Sequence, residues 1–303
     1  MSSFLSERLL GATTGKMDLV ALITGIGFAL MWSSAFSVVK LALNDAPPFL
    51  ILTCRFFVSG VIATSLAWML AQRLPTEPRQ WIAILILGLC QNSLYLGLNF
   101  KAMTLVPAGL AAIIASSAPL MVAFICRLFL GERLGWIGNV GIAIGFAGVL
   151  MIMAERIAGG ESAFGIILCI IGAAAFASAT LIVRGTDLGS GLLMIVGLQM
   201  LVGSISLAPV VYVLEDLDTV RLTSSLALAF TYITLAPGVI ATLVWFYLVK
   251  RIGATHAAAF HFLNPAFGVI IANAMLGELI GMGDVAGVGI IMISILMVQL
   301  SRR

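Results

Sequence analysis

Charge is what this chain has least of. Only 10% of its 303 residues are Asp, Glu, Lys or Arg, against roughly 25% in soluble domains. Histidine occurs twice, at His256 and His261, and cysteine four times. With 61% hydrophobic residues and a mean hydropathy of +1.16, the chain carries more apolar surface than a soluble core can hide, so a water-soluble fold is excluded. The net charge of +3 gives no reason to expect a nucleic-acid partner. Cys54, Cys90, Cys126 and Cys169 lie in or beside apolar runs without metal-ligand spacing. They read as buried free thiols, neither a zinc site nor a disulfide framework. There is no His-Glu-x-x-His, no Gly-x-Ser-x-Gly and no carboxylate pair inside an apolar run, so the chain lacks the apparatus of a membrane-embedded enzyme. Gly11 to Gly15, followed by Lys16-Met17, is one residue short of a phosphate loop and has Met where Ser or Thr would hold magnesium. No catalytic residue, cofactor or metal is expected.

What is present is a series of apolar runs, at about 19–43, 49–71, 81–101, 104–130, 136–154, 163–184, 190–213, 224–248, 254–276 and 284–300. A membrane-crossing helix needs about 20 such residues, and the connections leave no room for a soluble domain. The first run is too long for a signal-peptide core and reads as a retained span. The fold class expected is all-α integral membrane, with ten transmembrane helices and lipid as the surrounding partner. Lys and Arg test this map. If the amino terminus is cytoplasmic, eleven of them (Arg8, Lys16, Arg73, Arg79, Arg127, Arg133, Arg184, Lys250, Arg251, Arg302, Arg303) fall on the cytoplasmic side. Four (Lys40, Lys101, Arg156, Arg221) fall outside, and Arg55 within span 2 completes the sixteen. Both termini are therefore expected in the cytoplasm.

The chain also repeats itself. Pro119, Leu130-Gly131-Glu132, Gly135 and Gly141 return 146 residues later as Pro265, Leu276-Gly277-Glu278, Gly281 and Gly287. Over 108–144 against 254–290, eleven of thirty-seven positions match. Trp32 to Lys40 lies on Phe176 to Arg184 at an offset of 144, with Ser34-Ala35 on Ser178-Ala179. Five spans separate equivalent positions, and an odd number turns the second copy upside down. The expected organisation is a terminal segment 1–18, repeat 1 over 19–154 (spans 1–5), repeat 2 over 163–300 (spans 6–10) and a short end at 301–303. The fold is thus two inverted five-helix repeats.

The Trp32-Ser-Ser-Ala-Phe run ending in Lys40, Arg55-Phe56 early in span 2 and the paired Leu-Gly-Glu boxes resemble the EamA family of the drug/metabolite transporter superfamily. The resemblance covers the whole chain. It implies a secondary transporter of the bacterial inner membrane, commonly an exporter of amino acids or other small metabolites. The halves differ at Phe176, which replaces Trp32, and at Gln199, which replaces Arg55, so the pathway is expected to be asymmetric.

Candidate pathway residues come from helix breaks and from polar groups at mid-span. A proline cannot bond the carbonyl four residues earlier. Pro119, Pro265 and Pro237 are therefore expected to free the carbonyls of Ala115, His261 and Ile233. Such groups line a cavity, where they can accept from a substrate ammonium, or are satisfied by neighbouring helices as a packing kink. Trp32 and Ser33 (span 1), Gln91, Asn92 and Tyr95 (span 3), Ser116 and Ser117 (span 4), Thr180 (span 6), and His261 and Asn264 (span 9) converge near that depth. Polar side chains there either line a pathway or bond between helices. His261 reads as a proton carrier or as a neutral hydrogen-bonding group. No Asp or Glu lies near a midplane, so a carboxylate relay is unsupported.

Four residues read as structural. Glu132 and Glu278, with Gly131 and Gly277, are expected to fix the turns between spans 4 and 5 and between spans 9 and 10. Arg55 reads as reaching outward or pairing with an acid such as Asp45, with contact to substrate the other reading. Gly141-x-x-x-Gly145 and Gly283-x-x-x-Gly287 mark peripheral packing faces or a homodimer contact. The function expected is export of a small-molecule substrate, an amino acid or related metabolite, by alternating access around a midplane cavity. The alternatives are a non-transporting receptor or assembly subunit, and less readily an enzyme.

Overall fold

The computed structural model describes residues 18–129, 135–182 and 191–301. Gly131, Glu132, the terminal segment up to residue 17, and Arg184 lie outside them. Among the described residues there is no strand, and ten helices are long and apolar enough to cross a membrane. They are α1 (Leu19–Ala42), α2 (Pro48–Met69), α3 (Pro78–Ala102), α4 (Ala108–Leu128), α5 (Trp136–Ala158), α6 (Ala163–Leu181), α7 (Leu192–Leu214), α8 (Ser224–Ile252), α9 (His256–Leu276) and α10 (Met282–Gln299). The start of α1 and the end of α10 share one face, called here the terminal face. The other is the opposite face.

Local chemistry places the helix ends. Asp18 caps α1 by accepting from the Ala21 amide at 2.8 Å. Its carboxyl also receives the Arg251 guanidinium at the end of α8, which holds its pKa below the ordinary carboxylate range. Pro48 and Pro78 open α2 and α3 at first-turn positions that need no amide donor. Thr223 caps α8 through the Leu226 amide (3.0 Å) while its hydroxyl donates to Asp45 (2.6 Å). Gly277 ends α9 with φ of 67°, a left-handed conformation that costs glycine nothing and side-chain-bearing residues more.

The packing carries the inversion. Every large helix contact has a counterpart in the other half. α2 packs on α7, α4 on α9, and α5 on α10, each a helix with its own repeat equivalent. α1 packs on α9 and α8, and α6 packs on α4 and α3, which are the matching pairs. Small residues let these pairs approach closely. A Cβ at Gly60 of α2 would lie 3.0 Å from the Gly197 carbonyl of α7, and one at Gly197 would lie 3.1 Å from the Gly60 carbonyl. Between α5 and α10, Gly141 meets Met297 and Ser294, and Gly287 meets Ile152. The glycine-rich faces of α5 and α10 are thus consumed against each other inside the chain.

The helices of the two halves also break at matching levels. α3 carries an i→i+5 segment at Leu87–Leu96 and α8 one at Thr234–Ile240. α4 turns at Ser117 ahead of Pro119, and α9 tightens to 3-10 geometry at Phe260–Leu263 ahead of Pro265. These four interruptions lie at mid-depth, where such segments accompany function.

Candidate functional site: a midplane cavity closed on one face

The four broken helices, with α1, α2, α6 and α7, enclose a cavity in two lobes. One, of about 340 Å³, is lined by Arg55, Gln91, Asn92, Gln199, Thr242 and His261 among aromatic and aliphatic side chains. The other, of about 260 Å³, is lined by Tyr95, Ala115, Ser116, Pro119, Thr180, His261 and Asn264. Trp32, Phe176 and Trp245 border both. A small pocket of about 50 Å³ continues past Arg55 and Tyr95 toward Val39 and Met103.

Of the residues expected from sequence, the cavity gathers Trp32, Gln91, Asn92, Tyr95, Ala115, Ser116, Pro119, Thr180, Pro237, His261 and Asn264. Ser33, Ser117 and Pro265 are buried behind it. Ser33 donates to the Asn264 carbonyl (3.3 Å) and Ser117 to the Ile114 carbonyl (2.6 Å). Several lining hydroxyls are also occupied: Ser116 bonds the Ala112 carbonyl and Thr180 the Phe176 carbonyl. Asn92 reaches across to the Gln199 carbonyl of α7 (2.8 Å).

The freed carbonyls need correction. The 3-10 turn of α9 brings the Asn264 amide onto the His261 carbonyl, so Pro265 does not leave that carbonyl vacant. In α8 the i→i+5 geometry shifts the bonding register by one residue. The Ile233 carbonyl is then matched with Gly238 rather than with the donorless Pro237. The chain meets Pro265 by tightening α9 and Pro237 by widening α8, and it also presents unpaired side-chain groups. Gln199 Oε1, Asn264 Oδ1 and Arg55 Nε are buried without a hydrogen-bond partner.

His261 sits edge-on to Phe28 (5.2 Å) and Trp32 (6.0 Å) and tilted to Trp245 (5.2 Å). Its Nδ1 lies 3.0 Å from Asn264 Nδ2. With the amide donating, Nδ1 is the acceptor and the ring is neutral. Among the described residues, no acid lines the cavity lobes or the pocket beside them.

Arg55 is the residue least well read from sequence. It neither reaches outward nor pairs with Asp45, whose carboxylate is taken by Arg221 (3.2 Å) and Thr223. It is 6% exposed, beside the rings of Phe56 (5.7 Å) and Phe100 (5.9 Å), and faces the cavity. Phe28, Phe176, Gln199 and Trp245 also line the site. Gln199 carried a signal, being the repeat equivalent of Arg55. Cys126 and Cys169 are buried, Cys90 is half-buried, and Cys54 is exposed rather than buried.

The lobes extend toward the terminal face, reaching Phe28, Leu87 and the first residue of α7, Leu192. The opposite face is closed by polar contacts between elements. Lys40 Nζ donates to the Met103 and Val106 carbonyls at 2.5 and 2.9 Å, satisfying carbonyls past the end of α3. Glu278 accepts from the Ala108 and Gly109 amides at 2.7 and 2.9 Å. It does not cap its own turn: it caps α4, across the repeat boundary. Glu215 does the same for α2 through the Phe49 and Leu50 amides, both 2.7 Å.

The EamA-like transporter family model matches residues 19–154 and again 163–300. The chain is similar to the "Uncharacterized transporter YvbV" of Bacillus subtilis, at 26% identity over 89% of this chain and 88% of that one. It is also similar to the "Uncharacterized inner membrane transporter YedA" of Escherichia coli K12, at 26% over 92% and 90%. A "Probable terminal-alkyne amino-acid exporter" of Streptantibioticus cattleyicolor is 26% identical over 82% of each chain. A crystal structure covering 94% of this chain and 99% of its own superposes with a TM-score of 0.67 at 18% identity, a likeness of fold alone. The chain belongs to the EamA-like transporter family.

Proposed function

We propose that this family member is a secondary transporter of the inner membrane that exports a small metabolite, an amino acid or close relative, by alternating access. The observation that carries the reading is the pairing of a midplane cavity, built on four interrupted helices, with polar contacts that close the opposite face. Repeats related by inversion can form the mirror arrangement, open on the other face, by exchanging the conformations of their equivalent helices. The Lys and Arg bias supports a cytoplasmic terminal face, and the lobes reach toward that face, the side from which an exporter loads.

The mixed lining suits a small amphipathic solute. Trp32, Phe176 and Trp245 offer an apolar body surface, while Gln91, Gln199 and Asn264 offer amide groups. The amino-acid exporter of Streptantibioticus cattleyicolor supports the substrate class. With no acid among the described lining residues, a carboxylate relay has no support, and efflux down the substrate gradient is the simpler mode. The test is flux from liposomes loaded with labelled amino acids, with and without the purified protein. Release above that from empty liposomes for at least one amino acid is expected. Failure of a broad metabolite panel overturns the reading in favour of a non-transporting receptor.

A further inference from the structure

Arg55 is a buried cation without a counter-ion among the described residues. Its neighbours are the Phe56 and Phe100 rings, its Nε has no hydrogen-bond partner, and the one acid expected to reach it is paired with Arg221. Removing a guanidinium from water in an apolar surrounding is costly unless an anion and hydrogen-bond acceptors replace the water. Stacking on two rings recovers only part of that cost. A residue that opens onto the larger of the two lobes under these terms is poised for an anion that comes and goes.

Its repeat partner sharpens the point. α2 and α7 pack together, and at the position equivalent to Arg55 stands Gln199, which lines the same lobe and keeps an unpaired Oε1. One end of the site is thus a fixed positive charge, and beside it is an amide that can accept from an ammonium group.

We infer that Arg55 is the binding group for the carboxylate of the transported solute, with Gln199 holding its neighbouring polar group and the aromatic walls its apolar body. The substrate class is organic carboxylates, amino-acid zwitterions included, and amines without a carboxylate are excluded. This rests on the transport reading for its consequence, but binding is measurable without flux.

Melting of the detergent-purified protein is followed with three amino acids of different side chain, with the amine each gives on loss of its carboxylate, and with inorganic phosphate and chloride. Carboxylates are expected to raise the melting temperature of the wild-type protein, while amines and inorganic ions leave it unchanged. Arg55→Gln should weaken carboxylate binding about tenfold or more, the scale of a lost charge-assisted bidentate contact, and Arg55→Lys should keep part of it. Stabilisation by the amines, equal stabilisation by the inorganic ions, no stabilisation by any carboxylate, or full retention in Arg55→Gln would each overturn the inference. If Arg55→Gln does not fold, the charge series on the wild-type protein decides alone. In the flux assay, release of amines would leave transport standing and remove the carboxylate site.

Discussion

The Glu278 contact makes a quantitative prediction about gating. Its carboxylate oxygens take the amides of Ala108 and Gly109, two of the donors that the first turn of α4 cannot bond internally. Rocking the halves about the midplane would separate that turn from the α9–α10 connection, so the bonds belong to the state closed on the opposite face. In Glu278→Gln one oxygen remains to accept and the charge is lost. A hydrogen bond to a charged group contributes about 1.5–3 kcal/mol and a neutral one about 0.5–1.5 kcal/mol. Glu278 is only half-buried, so the low ends apply, about 2.5 kcal/mol, and solvent screening reduces the change to about 2 kcal/mol. If the bonds are absent from the other state, about 2 kcal/mol shifts the balance between states by roughly 30-fold. Ala35, which lines the small pocket beneath Lys40, is a reporter position. In a cysteine-free background carrying Ala35→Cys, a membrane-impermeant maleimide added on the opposite face should react up to about 30-fold faster when Glu278→Gln is present. A lower melting temperature with an unchanged labelling rate would refute the reasoning, because the cap would then stabilise α4 equally in every state. So would a variant identical to wild type in both measurements.

Three further outcomes follow from the packing and the lining. Gln91→Ala and Asn264→Ala should each reduce liposome flux while the protein still purifies as a folded species, and unchanged flux for both would remove them from the site. A Cβ at Gly145 would meet Leu120 at 2.5 Å and Ser294 closer still, so Gly145→Val should cost about 1–3 kcal/mol of stability by wedging α5 from α10, visible as a lower melting temperature. Asp284 is 4% exposed and takes Arg156 through both oxygens, at 3.1 and 2.6 Å. Asp284→Ala should therefore destabilise by about 2 kcal/mol or more, and Asp284→Asn by less, both read in the same melting assay.

The architecture was legible in the sequence because lipid leaves the backbone few options. Ten long apolar runs had to be ten helices, and the recurring proline and Leu-Gly-Glu spacing tied the halves together. Three of the helix breaks were legible too, since Pro119, Pro237 and Pro265 lie where α4, α8 and α9 are interrupted. How the chain satisfies the broken bonds was not. The carbonyl opposite a proline can be left open, tightened onto the next amide as at His261, or passed to a later one as at Ile233. Only the three-dimensional course of the helix selects among these. Glu278 shows the same limit. Its sequence neighbours pointed to its own turn, while the amides it serves lie 170 residues away in the chain. Arg55 was misread because pairing with a nearby acid is the usual fate of such a residue, and nothing in the sequence says that Asp45 is already engaged by Arg221.

The halves share their backbone devices and differ in side chains, and the two facts have different consequences. Matching interruptions in α3 and α8 and in α4 and α9 would give the two faces equivalent hinges under the proposed alternating access, and a close to symmetric motion. The charge is not symmetric: α2 contributes Arg55 where α7 contributes Gln199. If a carboxylate needs only one cation at this depth, which helix supplies it should matter little to binding. The double exchange Arg55→Gln with Gln199→Arg should then recover much of the carboxylate stabilisation that Arg55→Gln alone loses. A single Gln199→Arg variant, with two cations and no acid, should fold less stably because like charges are buried together. A double exchange that binds no better than Arg55→Gln would mean that the Phe56 and Phe100 rings on Arg55, not merely a positive charge in the cavity, define the site.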